Sequence, residues 1–156
     1  MLARLALLVT SVVPVPGPVL RTFSAPSCER CAGHRGVTIG SVPGSVVRAP
    51  VAGTVVFAGR VADRHYVVIA PARAARTQRR AGIVKVTVGW MTRIGSDVVE
   101  GGPVAEGQVL GSTGESTYLS VRVDGVHVEP LRALGLGWAR LRGSGGVLVG
   151  PGRARR

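Results

Sequence analysis

Apolar residues in this chain come in short, β-branched runs cut by glycine and proline. Between positions 34 and 59 three such runs, at 37–39, 46–48 and 54–58, alternate with Gly40, Pro43-Gly44 and Gly53. That punctuation predicts tightly turned antiparallel strands, a meander with His34 at its start. Further strands are expected at 64–69 and 83–88. Between 94 and 111, Val-x-x-Gly units signal two turns flanked by short strands. Residues 118–123, Tyr-Leu-Ser-Val-Arg-Val, alternate as a half-buried strand does, and Asp124-Gly125 closes them with a hairpin signal into 126–130.

Composition supports the same picture. The 156 residues suffice for one domain, aromatics are only 4%, and glycine counts 23, so a core of Val, Leu, Ile and Ala threaded by tight turns is expected. The predicted class is all-β, a compact antiparallel sandwich or barrel-like hybrid with little or no helix. Residues 1–16 read as a signal-like hydrophobic start, 17–134 as the folded domain, and 135–156 as a Gly/Arg-rich basic tail without fixed structure. The start has a basic flank, Met1 to Arg4, then an apolar run to Val13, too short to span a bilayer but adequate for the hydrophobic region of an export signal. No Ala-x-Ala site follows, only Pro14-Val-Pro-Gly-Pro18, so an uncleaved anchor is the alternative. Cell wall, periplasm or extracellular space is the expected location.

Nineteen arginines and Lys85 against eight acidic residues give a net charge of +12. Such a chain is drawn to polyanions. Specific nucleic-acid recognition is not expected, because the stacking aromatics or reader motif that accompany it are absent from the sequence. Arg73, Arg76, Arg79 and Arg80 fall in a stretch without apolar periodicity or an acidic partner. They form a candidate anion-binding loop.

Cys28 and Cys31 admit three readings. A local disulfide suits an exported protein. The spacing Cys-x2-Cys-x2-His34 would also offer zinc three ligands, although no second cysteine pair completes a structural site. A thioredoxin-like role needs a helix after the pair, and no helix signal follows.

Several segments together carry a resemblance: His34-x-Gly36, Gly44-x-x-Val47, Ala49-x-x-x-Gly53-x-Val55, Val104-x-x-Gly107-Gln108-x-x-Gly111-x-x-Gly114, a strand centred on Leu119, and Glu129-Pro130-Leu131. Over residues 17 to 134 the chain resembles the LytM or lysostaphin-type zinc endopeptidases, which cut peptide cross-bridges in peptidoglycan. The resemblance implies their duplicated hybrid β-fold. It also implies a zinc held by a His, an Asp four residues later and the second His of a His-x-His strand, with two further histidines serving the water and the oxyanion. Here the first ligand is His34, but the Asp position is Thr38, the His-x-His strand reads Tyr118-Leu119-Ser120, and the remaining histidine position is Trp90.

Hydroxyls are poor substitutes for carboxylate and imidazole, and a catalytic zinc needs three protein ligands. Without the ion no bound water becomes acidic enough to attack an amide. His65 and His127 lie outside the motif positions and read as structural. The set Cys28, Cys31, His34 would supply a structural zinc rather than a hydrolase, since Tyr118 cannot easily act as a base near neutral pH. The expectation is therefore an exported domain of peptidase fold without activity and without a cofactor, zinc being expected only if the family site is somehow retained. Trp90, Tyr118 and Ser120 would line a groove that docks on peptidoglycan, an anionic wall polymer or a cell-wall hydrolase. An active zinc endopeptidase with unusual ligands is the enzyme alternative. A lipoyl or biotinyl carrier is the other, but carriers present their lysine at a hairpin tip, and Lys85 lies inside a strand pattern.

Overall fold

The computed structural model describes residues 11–72, 82–140 and 146–149, with side chains through 136. Residues 1–10 of the signal-like start and the arginine loop with Arg73, Arg76, Arg79 and Arg80 lie outside the described residues.

Nearly every described element is a strand. In chain order they are β1 (Pro18–Arg21), β2 (Val37–Gly40), β3 (Val46–Arg48), β4 (Gly53–Val61), β5 (Arg64–Pro71), β6 (Val84–Ile94), β7 (Pro103–Val104), β8 (Val109–Val123), β9 (Val126–Val128), the single-turn helix α1 (Pro130–Ala133), β10 (Gly137–Arg140) and β11 (Gly146–Val149). All pairings are antiparallel, and the hydrogen-bonded path runs β10-β11-β1-β2-β8-β6-β5-β4-β7, with β3 and β9 also on β8.

The long strand β8 is the spine. Its residues 109–123 include the stretch expected as turns up to Gly111, because Val109 pairs with β3 and Gly111 and Ser112 find partners on both sides, β3 and β6. The expected meander from 34 to 59 does not form. Strands β2 and β3 do not pair with each other; they lie one after the other along β8, at 116–119 and 109–112, while β4 pairs with β5 and β7. The Pro43-Gly44 turn, with Gly44 at φ 85°, makes that displacement possible without a Cβ clash.

Alternation decides what is buried. Val37 and Ile39 of β2, Val67 and Ile69 of β5, Val86 and Val88 of β6, and Leu119 and Val121 of β8 share one fully buried cluster with Val47, Val55 and Leu110. The cluster is almost wholly aliphatic, as the low aromatic content requires. The Asp124-Gly125 hairpin forms as expected: both residues have positive φ, 50° and 80°, the signature of a two-residue turn between strands.

Both ends of the chain depart from the expected boundaries. Val15 is completely buried, the Val12 amide donates to the Pro50 carbonyl (3.0 Å) and the Arg48 amide to the Pro14 carbonyl (2.8 Å), so the folded domain begins before residue 17. Within the stretch expected as an unstructured tail, β10 and β11 pair with each other and β11 with β1. The apolar run Val147-Leu148-Val149 and the open edge of β1 supply the partners; residues 141–145 and 150–156 lie outside the described residues.

Candidate functional site

The site grows from the end of the loop before β2. Ser24 and His34 exchange both backbone hydrogen bonds at 2.9 Å, which fixes the histidine at the mouth of the strand. Gly33 permits this approach, since a Cβ there would sit 2.7 Å from the Ser24 carbonyl oxygen. His34 is only 7% exposed, and its Nε2 shares a hydrogen bond of 2.9 Å with the hydroxyl of Thr38, itself 6% exposed. Burial first, and the Arg21 guanidinium second, hold the imidazole below its ordinary pKa. The ring nitrogen is thus satisfied by a neutral hydroxyl and kept uncharged.

Register then brings Tyr118 beside them. Thr38 stands opposite Tyr118 across β2 and β8, and the imidazole and phenol centroids are 5.8 Å apart. The phenol lies over Gly36, where a Cβ would meet the ring at 2.6 Å. Burial raises its pKa despite the Ser120 hydroxyl and the nearby Arg35 and Arg122 charges.

On the other side of Tyr118, Trp90 stacks with centroids 5.4 Å apart at 26°, and the Arg64 guanidinium sits 4.6 Å from the indole centroid. Trp90 occupies this place because the β6–β8 register breaks there. From Gly89 opposite Tyr118 to Met91 opposite Thr113, the chain takes two steps along β6 against five along β8. Trp90 adopts φ 62°, a left-handed conformation that is unfavourable for a bulky residue. Buried threonines stitch the irregularity: the Thr113 hydroxyl donates to the Ser116 carbonyl (2.8 Å) and accepts from the Thr117 hydroxyl (3.0 Å). Such stored strain collects at functional sites.

His34, Thr38, Tyr118, Trp90 and Arg64 therefore form one contact chain, with Ser120 two residues along β8 from Tyr118 on the same face. Cys28 and Cys31 are joined in a disulfide, so neither offers a thiolate, which removes them as zinc ligands beside His34. Among the described residues no group of three or more His, Cys, Asp or Glu side chains comes together to hold a metal. One imidazole already bonded to a hydroxyl, two hydroxyls and a phenol do not fit zinc.

His65 lies away from this chain, opposite Met91, with its Nδ1 buried and unpartnered. His127 stands opposite Arg122, two residues from Ser120 on the same face, closer to the site than its place in sequence suggests. Sequence reasoning also missed Arg64, and Tyr66, whose ring covers Gly89. The His127–Arg122 pairing was derivable, because a two-residue turn at Asp124-Gly125 fixes it.

Solved structures share this arrangement of strands. A zinc-containing peptidase from Vibrio cholerae superposes with a TM-score of 0.58 at 19% identity, over 78% of this chain and 38% of that one. The catalytic domain of a mutant of the prophage-encoded M23 protein EnpA from Enterococcus faecalis gives 0.56 at 20%, over 78% and 94%. Lysostaphin gives 0.57 at 16%, over 77% and 49%. The chain has the LytM/lysostaphin-type peptidase fold. No family model matches the sequence. A stretch of 74 residues is 40% identical to uncharacterized proteins Rv2891 of Mycobacterium tuberculosis and Mb2915 of Mycobacterium bovis. It takes in 47% of this chain and 30% of each relative, so the chain spans less than a third of their length.

Proposed function

We propose that this chain is a catalytically inactive, exported member of the LytM/lysostaphin-type fold that binds peptidoglycan peptides in its groove and serves as a docking or regulatory part for a cell-wall hydrolase. The observation that carries the reading is the His34–Thr38 hydrogen bond. The imidazole that the resemblance would assign to zinc has its Nε2 bonded to a hydroxyl, and the phenol of Tyr118 lies over Gly36 beside it. Hydrolysis would need an activated water and a base, and the side chains gathered here supply neither.

Loss of the metal does not require loss of the groove, since backbone edges and shape alone bind extended peptides. The stack of Trp90 on Tyr118 gives such a groove a rigid aromatic wall. Export is supported by the apolar run up to Val13 and by the disulfide. No helix among the described residues is long and apolar enough to cross a membrane. Because Val15 is buried in the core, any cleavage that leaves the domain intact falls before it. A carrier role is disfavoured, as Lys85 sits half-buried within β6 rather than at a hairpin tip.

The test is co-sedimentation of the purified chain with insoluble peptidoglycan, followed by analysis of the supernatant for released muropeptides with and without added zinc. Binding without release is expected under both conditions. Zinc-dependent release would replace this reading with that of an active endopeptidase, and absence of co-sedimentation would remove the groove's assigned ligand.

A further inference from the structure

Three basic side chains stand in a row across neighbouring strands. Lys85 of β6 is opposite Arg122 of β8, and Arg122 is opposite His127 of β9. Directly opposed residues in antiparallel strands project from the same face with Cβ atoms about 5 Å apart. The β6–β8 register runs without a shift from Val84 opposite Val123 to Gly89 opposite Tyr118. Alternation therefore sets Arg122 on the same face as Ser120 and Tyr118, and Lys85 on that of Thr87 and Gly89. The row lies four residues along β8 from Tyr118.

All three side chains are half-buried. Like charges opposed across strands destabilise a sheet, and the carboxylates nearest in sequence do not relieve them. Asp124 Oδ1 accepts from the Ile83 amide (2.8 Å), and the Glu129 carboxylate caps α1, accepting from the Leu131 (3.2 Å) and Arg132 (2.6 Å) amides. Arg35 adds a further cation to Lys85 and Arg122. Its guanidinium is held by the Glu29 carbonyl inside the disulfide loop, and its charge, with that of Arg122, acts on both His127 and Tyr118.

We propose that Lys85, Arg122 and His127, with Arg35, form an anion subsite at the end of the groove that takes the C-terminal carboxylate of a short extended peptide. This rests on the groove-binding reading above and specifies its ligand. From the Tyr118 level to the Arg122 level is four residues of strand, roughly 13 Å, the length of a tetrapeptide between the aromatic wall and the cations. The positions between them carry no charge: Thr87 and Ser120 on the strands, with the Tyr118 and Tyr66 rings covering Gly36 and Gly89. A polymer with a phosphate in every unit would be matched by cations along the whole path. A single terminal carboxylate is matched by cations at one end.

The experiment is calorimetric titration of the full chain, at low salt, with tetra-alanine and with its C-terminal amide. The acid is expected to bind about tenfold more tightly than the amide, because a charge-assisted contact distinguishes them. Arg122→Gln and Lys85→Gln should each erase most of that preference while leaving amide binding in place. Arg122→Lys, which keeps the charge, should retain much of it, and so should Arg132→Gln on the exposed turn of α1. Circular dichroism establishes that each variant folds.

Equal affinity of wild type for acid and amide would overturn the subsite and leave the groove reading standing. So would binding of a glycerol-phosphate oligomer that depends on Arg122 while tetra-alanine does not bind. Failure of both peptides would overturn the subsite, and the groove reading falls with it only if peptidoglycan also fails to co-sediment.

Discussion

Trp90 should be more tolerant of glycine than of alanine, the reverse of the usual order in a strand. Its φ of 62° lies in the left-handed region, which costs an L-residue about 1–2 kcal/mol and costs glycine almost nothing. Both substitutions remove the indole, and with it the stack on Tyr118 and the Arg64 contact, so those losses cancel in the comparison. What remains is the left-handed penalty on alanine, offset by the roughly 0.4–1 kcal/mol of extra unfolded-state entropy that glycine carries. The net expectation is that Trp90→Gly exceeds Trp90→Ala in stability by about 0.5–1 kcal/mol. Urea denaturation at pH 8 with matched m-values measures the difference directly. Alanine equal to or more stable than glycine would mean that Trp90 is not held in this conformation, and the account of the β6–β8 break would be wrong.

Other predictions concern the groups around that break. Thr113→Val keeps the shape but removes the donor to the Ser116 carbonyl and the acceptor for Thr117; a loss of about 2 kcal/mol in thermal or urea unfolding is expected, as for buried partners left unsatisfied. The pH dependence follows from two imidazoles. His34 is depressed by burial and then by Arg21, and His127 by burial and then by Arg122 and Arg35. The unfolded chain therefore binds more protons than the folded one: the stabilisation is fully present above the ordinary histidine value of 6.5 and is lost as pH falls below it toward the folded values. Unfolding midpoints between pH 8 and pH 5 should fall, and a combined His34→Gln and His127→Gln variant should flatten the decline; an unchanged slope would assign it to other groups.

Much of the fold was legible because the signals were local. β-Branched runs placed six strands near their observed positions, Asp124-Gly125 specified its own turn, and the Cys28–Cys31 pair needed only proximity in sequence. Thr38, Tyr118 and Ser120 could be set against motif positions one by one, and the structure brings the first two beside His34. What escaped was non-local. The three extra steps of β8 opposite Trp90 have no marker in the sequence, so the stack of Arg64, Trp90 and Tyr118 was invisible. The pairing of both β2 and β3 with β8, rather than with each other, depends on a partner some 70 residues downstream. The burial of Val15 was hidden because a strand-edge valine and the end of an export signal look the same in composition.

The central proposal is that His34 holds no metal, because the side chains beside it are a hydroxyl and a phenol. The measurement that meets it most directly is zinc content by elemental analysis, on the wild-type chain and on His34→Ala, after loading with excess zinc and exhaustive dialysis. The account predicts no stoichiometric zinc in either protein. A stoichiometric zinc in the wild type that disappears in His34→Ala would contradict it.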